Sequence, residues 1–159
     1  MKILVNGFGI SDSGGVNVLE KLFRECIEAG EDNNFIIMLT HSHQIEALVE
    51  LYQPYDIFSF RVIKFKNYIH RLYYENTTFK MIIAQDEIDL VYNFTATRQF
   101  FLDCPQLVKI HNLVWYSKKL DKRFKEDSDF LLWIQQVYLK RLVFKFMLKR
   151  SKYIEIQSR

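Results

Sequence analysis

Short runs rich in Ile, Val, Phe and Tyr alternate along this chain with longer stretches of three- and four-residue apolar spacing, and that alternation leaves few folds open. Lys2–Phe8, Asn34–Leu39, Ile57–Lys64, Leu90–Phe94, Val108–Leu113 and Tyr153–Gln157 read as strands. Between them Val16–Ala29, Gln44–Tyr52, Tyr68–Gln85 and Phe130–Arg150 read as helices. In the first helix Val16, Leu19, Leu22, Phe23, Cys26 and Ile27 form an apolar stripe, with Glu20, Lys21, Arg24, Glu25 and Glu28 left to solvent. Gly30 is expected to close it as a C-cap. The inner strands are nearly continuous in hydrophobicity, as strands are when both faces of a parallel sheet are covered. The pattern predicts an α/β fold: a doubly wound, mainly parallel sheet with helices on both faces, joined by right-handed crossovers. With 159 residues, no internal repeat and no linker, a single domain over 1–159 is expected.

Composition narrows the function classes. Apolar residues at 49% and aromatics at 16% exclude disorder. A net charge of +3, from 22 basic and 19 acidic residues, is too small an excess to argue for nucleic acid, and no nucleic-acid partner is expected. Cys26 and Cys104 have no metal-type partner at short spacing, so both are expected to be reduced and partly buried. The opening Met-Lys and its short apolar run are a strand rather than a secretory leader. No run approaches the ~18 apolar residues of a membrane span. The expected location is the cytoplasm.

Doubly wound folds bind ligands outside the carboxyl ends of their strands. Three segments lie there: Gly7–Gly15 after the first strand, Asn93–Arg98 after the fourth and His111–Lys119 after the fifth. Gly14, Gly15, Asn93, Thr95, His111 and Asn112 are the polar or backbone-exposing residues they offer. The glycine-bearing stretch Gly9–Gly15 fails the G-x-G-x-x-G test, because Asp12 stands where the third glycine belongs. It also fails as a P-loop, because Gly15-Val16 replaces Lys-Ser/Thr. It is therefore an anion or sugar-nucleotide site of another kind, or only a tight strand-to-helix turn. His41 and His43 flank Ser42 but lack a third ligand nearby, which favours a helix-entry loop over a metal site. His70 reads as a helix-surface residue.

Four short motifs, in order along the chain, resemble the N-terminal half of a GT-B glycosyltransferase of the group-1 (family 4) type, which is Rossmann-like. Ser13-Gly14-Gly15-Val16 before the first helix is similar to that family's double-glycine loop. Asp89-Leu90-Val91-Tyr92-Asn93 resembles its mid-domain strand. Val108-Lys109-Ile110-His111-Asn112-Leu113 resembles the strand that ends in His-Asn or His-Asp. Lys152-Tyr153-Ile154-Glu155-Ile156-Gln157-Ser158 resembles the strand entering a serine. The resemblance implies transfer of a sugar from a nucleotide-sugar donor to a glycan or lipid-linked acceptor, in surface polysaccharide or glycolipid assembly. Gly14 and Gly15 would lie against the donor phosphate or sugar, and His111 would be the catalytic residue touching the transferred sugar. Asn93, Thr95 and Asn112 would belong to the acceptor-side loops; Asn93 and Thr95 stand where many relatives carry a histidine. The family is usually retaining and metal-independent, so neither a metal site nor a cofactor is expected. Its donor-binding C-terminal domain has no counterpart in these residues, so this chain alone is expected to be inactive and to self-associate through an uncovered cleft face.

Phe130–Arg150 admits two readings. Leu131, Ile134, Val137, Tyr138, Leu142 and Phe146 form an apolar stripe, and Lys140, Arg141, Lys145 and Lys149 load another face. It is either a core helix with a solvated outer face or a basic amphipathic helix lying on an anionic membrane, which would make the protein peripheral at the inner face. A second basic-aromatic region interleaves Arg61, Lys64, Lys66 and Arg71 with Phe60, Phe65, Tyr68 and Tyr73. The rival from another functional class is a non-catalytic, flavodoxin-like binding or interaction module. Its response-regulator version lacks the acidic cluster it would need, since Asn6-Gly7-Phe8 and Ile63-Lys64-Phe65 supply none.

Overall fold

A computed structural model describes residues 1–10, 13–30, 32–94, 98–99, 101–110, 119, 122–123, 133–150 and 153–156. At its centre β1 (Lys2–Gly7) pairs in parallel with β2 (Asn34–Thr40) on one side and β4 (Leu90–Asn93) on the other. β3 (Phe58–Ile63) continues the sheet beyond β2, and β5 (Gln106–Ile110) and β6 (Tyr153–Ile156) continue it beyond β4. The six strands run β3-β2-β1-β4-β5-β6, all parallel, as the doubly wound reading requires.

Period-two alternation sorts the core onto two faces. Val5, Ile37, Leu39 and Tyr92 meet α1 (Ser13–Glu28) and α2 (His43–Tyr52) through Leu19, Phe23, Ile45 and Leu48. Leu4, Phe8, Met38 and Val91 meet α3 (Tyr68–Gln85) through Phe79 and Ile82. Two crossovers therefore cover one face as the chain moves from β1 to β3. The third returns over the other face to β4, so the strand order reverses between β1 and β4.

Local chemistry fixes the helix ends. Ser42 caps α2 by accepting the Ile45 N–H at 3.3 Å, and Asn67 caps α3 by accepting the His70 N–H at 2.8 Å. Gly30 follows α1 at φ +94° and serves as the expected cap. Burial pushes the Cys26 thiol up to about 11, so it stays protonated at neutral pH.

Two element starts differ from expectation by two residues or more. α1 begins at Ser13 and takes Gly14 and Gly15 into its first turn, whereas the sequence suggested a loop as far as Gly15. β5 begins at Gln106, which reads as polar but is buried. Within the stretch expected as one regular helix, a π-helical segment, Ile134–Tyr138, runs straight into α4 (Leu139–Arg150). A π turn shifts the residues after it around the axis. Val137 is buried, while Tyr138, Leu142 and Phe146 are each close to half exposed. Among the described residues, no helix is long and apolar enough to cross a membrane.

Phe23 is the hub of the α1 face, with its ring 5.2 Å from Tyr52, 5.1 Å from Phe58 and 5.6 Å from Phe60. Phe23→Ala should cost about 3–5 kcal/mol of unfolding free energy, measured by urea denaturation. A cost below ~1 kcal/mol would show that this packing is not formed.

Candidate functional site

Asn6 and Asn93 face each other in register across β1 and β4, where the strand order reverses. Both are fully buried on the α3 side of the sheet. The Asn6 side-chain amide donates to Asn93 Oδ1 and to Glu75 Oε1, each at 3.3 Å, while Asn6 Oδ1 accepts the Phe8 N–H at 3.2 Å. Asn93 passes the chain outward, donating to Gln106 Oε1 at 3.1 Å. Gln106 in turn clasps the backbone of Gln99, accepting its N–H at 3.1 Å and donating to its carbonyl at 3.0 Å. On α3, Arg71 Nε donates to Glu75 Oε1 at 3.0 Å.

Asn6, Glu75, Asn93, Gln99 and Gln106 are all of the buried polar residues among the described ones. Side-chain hydrogen bonds join Glu75, Asn6, Asn93 and Gln106, and Gln106 extends the chain to the Gln99 backbone, while Gln99 Oε1 is buried without a partner. Burying polar groups is costly unless they are bonded. A fold that needed only a core would place Leu or Val here. Glu75 occupies a core position of α3, one turn before Phe79 and two before Ile82. Its carboxylate is retained by Arg71 four residues back and by Asn6.

Arg71 also shapes the loop after β1. Gly9 sits at φ +87°, and a Cβ there would overlap the Arg71 guanidinium. Glycine is needed for conformation and for space alike. The loop's donors are already engaged: Phe8 N–H on Asn6, Gly9 N–H on Thr40 Oγ1 at 3.2 Å and Ile10 N–H on the Gly7 carbonyl at 3.2 Å. These three amides therefore do not cradle an anion. α1 begins at this same end of the sheet, with Gly14 and Gly15 in its first turn.

Of the residues expected from sequence, Gly14 is exposed and Gly15 half-buried in that first turn. Asn93 lies at the strand end as expected, but its side chain is spent within the network, so it holds the wall of the crevice. Thr95, His111 and Asn112 fall outside the described residues. His41 Nε2 and His43 Nδ1 both lie against Glu46, at 2.9 and 3.6 Å. Among the described residues, no three His, Cys, Asp or Glu side chains are grouped to hold a metal. His70 is exposed at the start of α3, as expected.

Asn6, Arg71, Glu75, Gln99 and Gln106 were not singled out as a site by the sequence. One signal was present, a charged residue at apolar spacing from Phe79 and Ile82 with an arginine four residues before it.

Comparison with family models, with curated proteins and with solved structures gives no match in any of the three.

Removing one member of a buried ion pair strands the other. Glu75→Ala should therefore lower unfolding free energy by about 3–5 kcal/mol, and Arg71→Met combined with Glu75→Leu should recover most of that loss. Equal losses in the single and double variants, read by chemical denaturation, would show that the pair is not coupled.

Proposed function

We propose that this chain is the acceptor-side domain of a GT-B glycosyltransferase, which moves a sugar from a nucleotide-sugar to a glycan or lipid-linked acceptor. The observation that carries the reading is the topological switch point at the carboxyl ends of β1 and β4, where folds of this class bind ligands. A wholly parallel sheet reverses its strand order there, the buried Asn6 and Asn93 are bonded to each other there, and α1 begins there with two glycines in its first turn. In this reading the N-terminal turn of α1 meets the donor phosphate, where Gly14 and Gly15 put no Cβ in its way. His111 follows the last residue of β5, Ile110, and would reach the transferred sugar. The nucleotide would be held by a second domain, and its binding energy would position the sugar against these loops.

Two surfaces fit an anionic lipid surface as the acceptor's setting. Arg61 pairs with Asp86 at 2.8 Å and Arg71 with Glu75, so the charges of both are balanced within the protein. Lys64 and Lys66 remain exposed beside Tyr68, Ile69 and Tyr73, which are each about two-thirds exposed or more. On α4, Lys145 and Lys149 are exposed near Leu142 and Phe146. A protein so placed would be peripheral at the inner face of the membrane.

Residues 1–159 alone, incubated with uridine-, guanosine- and thymidine-diphosphate sugars, should release no nucleotide and transfer no sugar. Turnover by this piece would overturn the half-enzyme reading. In the two-domain enzyme, His111→Ala should cut turnover by ~10²-fold or more, and Gly15→Val should abolish it without unfolding the protein. Normal turnover by folded variants of both would reject the site.

Lys145→Glu with Lys149→Glu should weaken sedimentation with phosphatidylserine vesicles, and salt should do the same, because exposed charges are screened over about 8–10 Å. Sedimentation indifferent to both changes would retire the membrane contact.

A further inference from the structure

Arg71 has more donors than the protein uses. A guanidinium carries five N–H groups in a rigid fork. Nε is spent on Glu75, and among the described residues no acceptor takes an N–H from either Nη. The side chain is 17% exposed, and neither Nη is among the fully buried unpartnered polar atoms, so the unused donors keep access to solvent. Accessible, unused guanidinium donors held in one orientation can receive an anion through charge-assisted hydrogen bonds.

Position narrows the ligand. The guanidinium lies on Gly9 in the space a Cβ would fill, beside the loop that leaves the carboxyl end of β1. The loop amides of Phe8, Gly9 and Ile10 are bonded within the protein, so they do not compete for an anion. Glu75 holds the fork by Nε and Nη1 is the atom nearest Gly9, so on the Nη edge it is chiefly Nη2 that is left to address an oxyanion. If Arg71 served only as the counter-ion of Glu75, its position on Gly9 would be incidental. A positive-φ glycine that yields its Cβ space to this one group points to a built contact.

We infer that Arg71 is an oxyanion-binding residue whose Nη edge receives a phosphate group of a ligand lodged in the crevice above β1 and β4. Glu75 is its positioning residue, and Gly9 is the floor on which it rests. The inference stands on these contacts and does not depend on the transferase reading. A phosphate could arrive as part of a diphosphate, as in a nucleotide, or as a phosphomonoester, and the same chemistry recognises both.

The test is a titration of the isotope-labelled full chain followed by NMR at constant ionic strength, reading the Gly9 amide and the Arg71 Nε–H. Inorganic phosphate, pyrophosphate and glycerol 3-phosphate are the probes, with chloride as control. A saturable shift at both positions is expected, with half-saturation on the order of 10 mM for a single guanidinium–phosphate contact. Arg71→Gln combined with Glu75→Gln keeps the pair neutral and should weaken binding about tenfold or more. Pyrophosphate favoured about tenfold over the monoesters assigns a diphosphate ligand, and equal or better binding of glycerol 3-phosphate assigns a monoester. Shifts that never saturate, that chloride reproduces, or that persist undiminished in the double variant would overturn the inference. Should the double variant not fold, the Arg71 Nε–H response of the native protein decides alone.

Discussion

A parallel strand at the middle of a sheet must have both faces covered, and most of this architecture follows from that demand on β1. Its neighbours β2 and β4 are also parallel to it, so no hairpin can join them, and each connection must cross over a face. Right-handed crossovers place α1 and α2 on one face as the chain moves outward to β3. The chain must then return over the opposite face, carrying α3, to begin β4 beside β1. The two connections leaving β1 and β4 thus diverge to opposite sides. The gap between them at the carboxyl ends is a product of chain connectivity and would exist with almost any side chains.

What this protein does with the gap is a matter of side chains. The α3 face of the sheet is apolar through Leu4, Met38 and Val91, then becomes polar at Asn6 and Asn93 as the strands reach the crevice. A half-satisfied network there would cost more than an apolar core. Here both Asn6 and Asn93 use donor and acceptor, and the Glu75 carboxylate has two donors. The network runs from the post-β4 residue Gln99 to Arg71 against Gly9, so both walls of the crevice hang on one set of bonds. Movement of either wall must strain or break it. That rigidity suits a site whose loops must already be in place when ligand arrives.

The outer surfaces show the same contrast between pattern and placement. Apolar spacing alone would send Tyr138, Leu142 and Phe146 inward with Val137. Instead Val137 alone of these is buried, and Tyr138, Leu142 and Phe146 stand at the surface. Arg61 and Arg71 belong to a basic-aromatic stretch in the sequence, yet both turn to carboxylates and leave Lys64 and Lys66 as its exposed charges.

The sequence by itself determined the fold class, the single sheet and nearly every element, because core burial imprints period two on strands and about 3.6 on helices over many residues at once. It also placed Gly14, Gly15 and Asn93 at strand carboxyl ends, since chain order and crossover handedness decide which loops lie there. Only the tertiary structure decided which side chains share the crevice. Asn6 and Asn93 are 87 residues apart, and Asn6 and Glu75 are 69 apart. A hydrogen bond at that separation leaves no local periodicity behind. Gln106 and Asn6 look like interruptions of apolar runs until a partner across the sheet is seen. Arg71 looks like a surface cation until Gly9, far back along the chain, supplies the empty space it fills. Local forces wrote the elements into the sequence, and the crevice came from long-range pairing that packing alone could bring about.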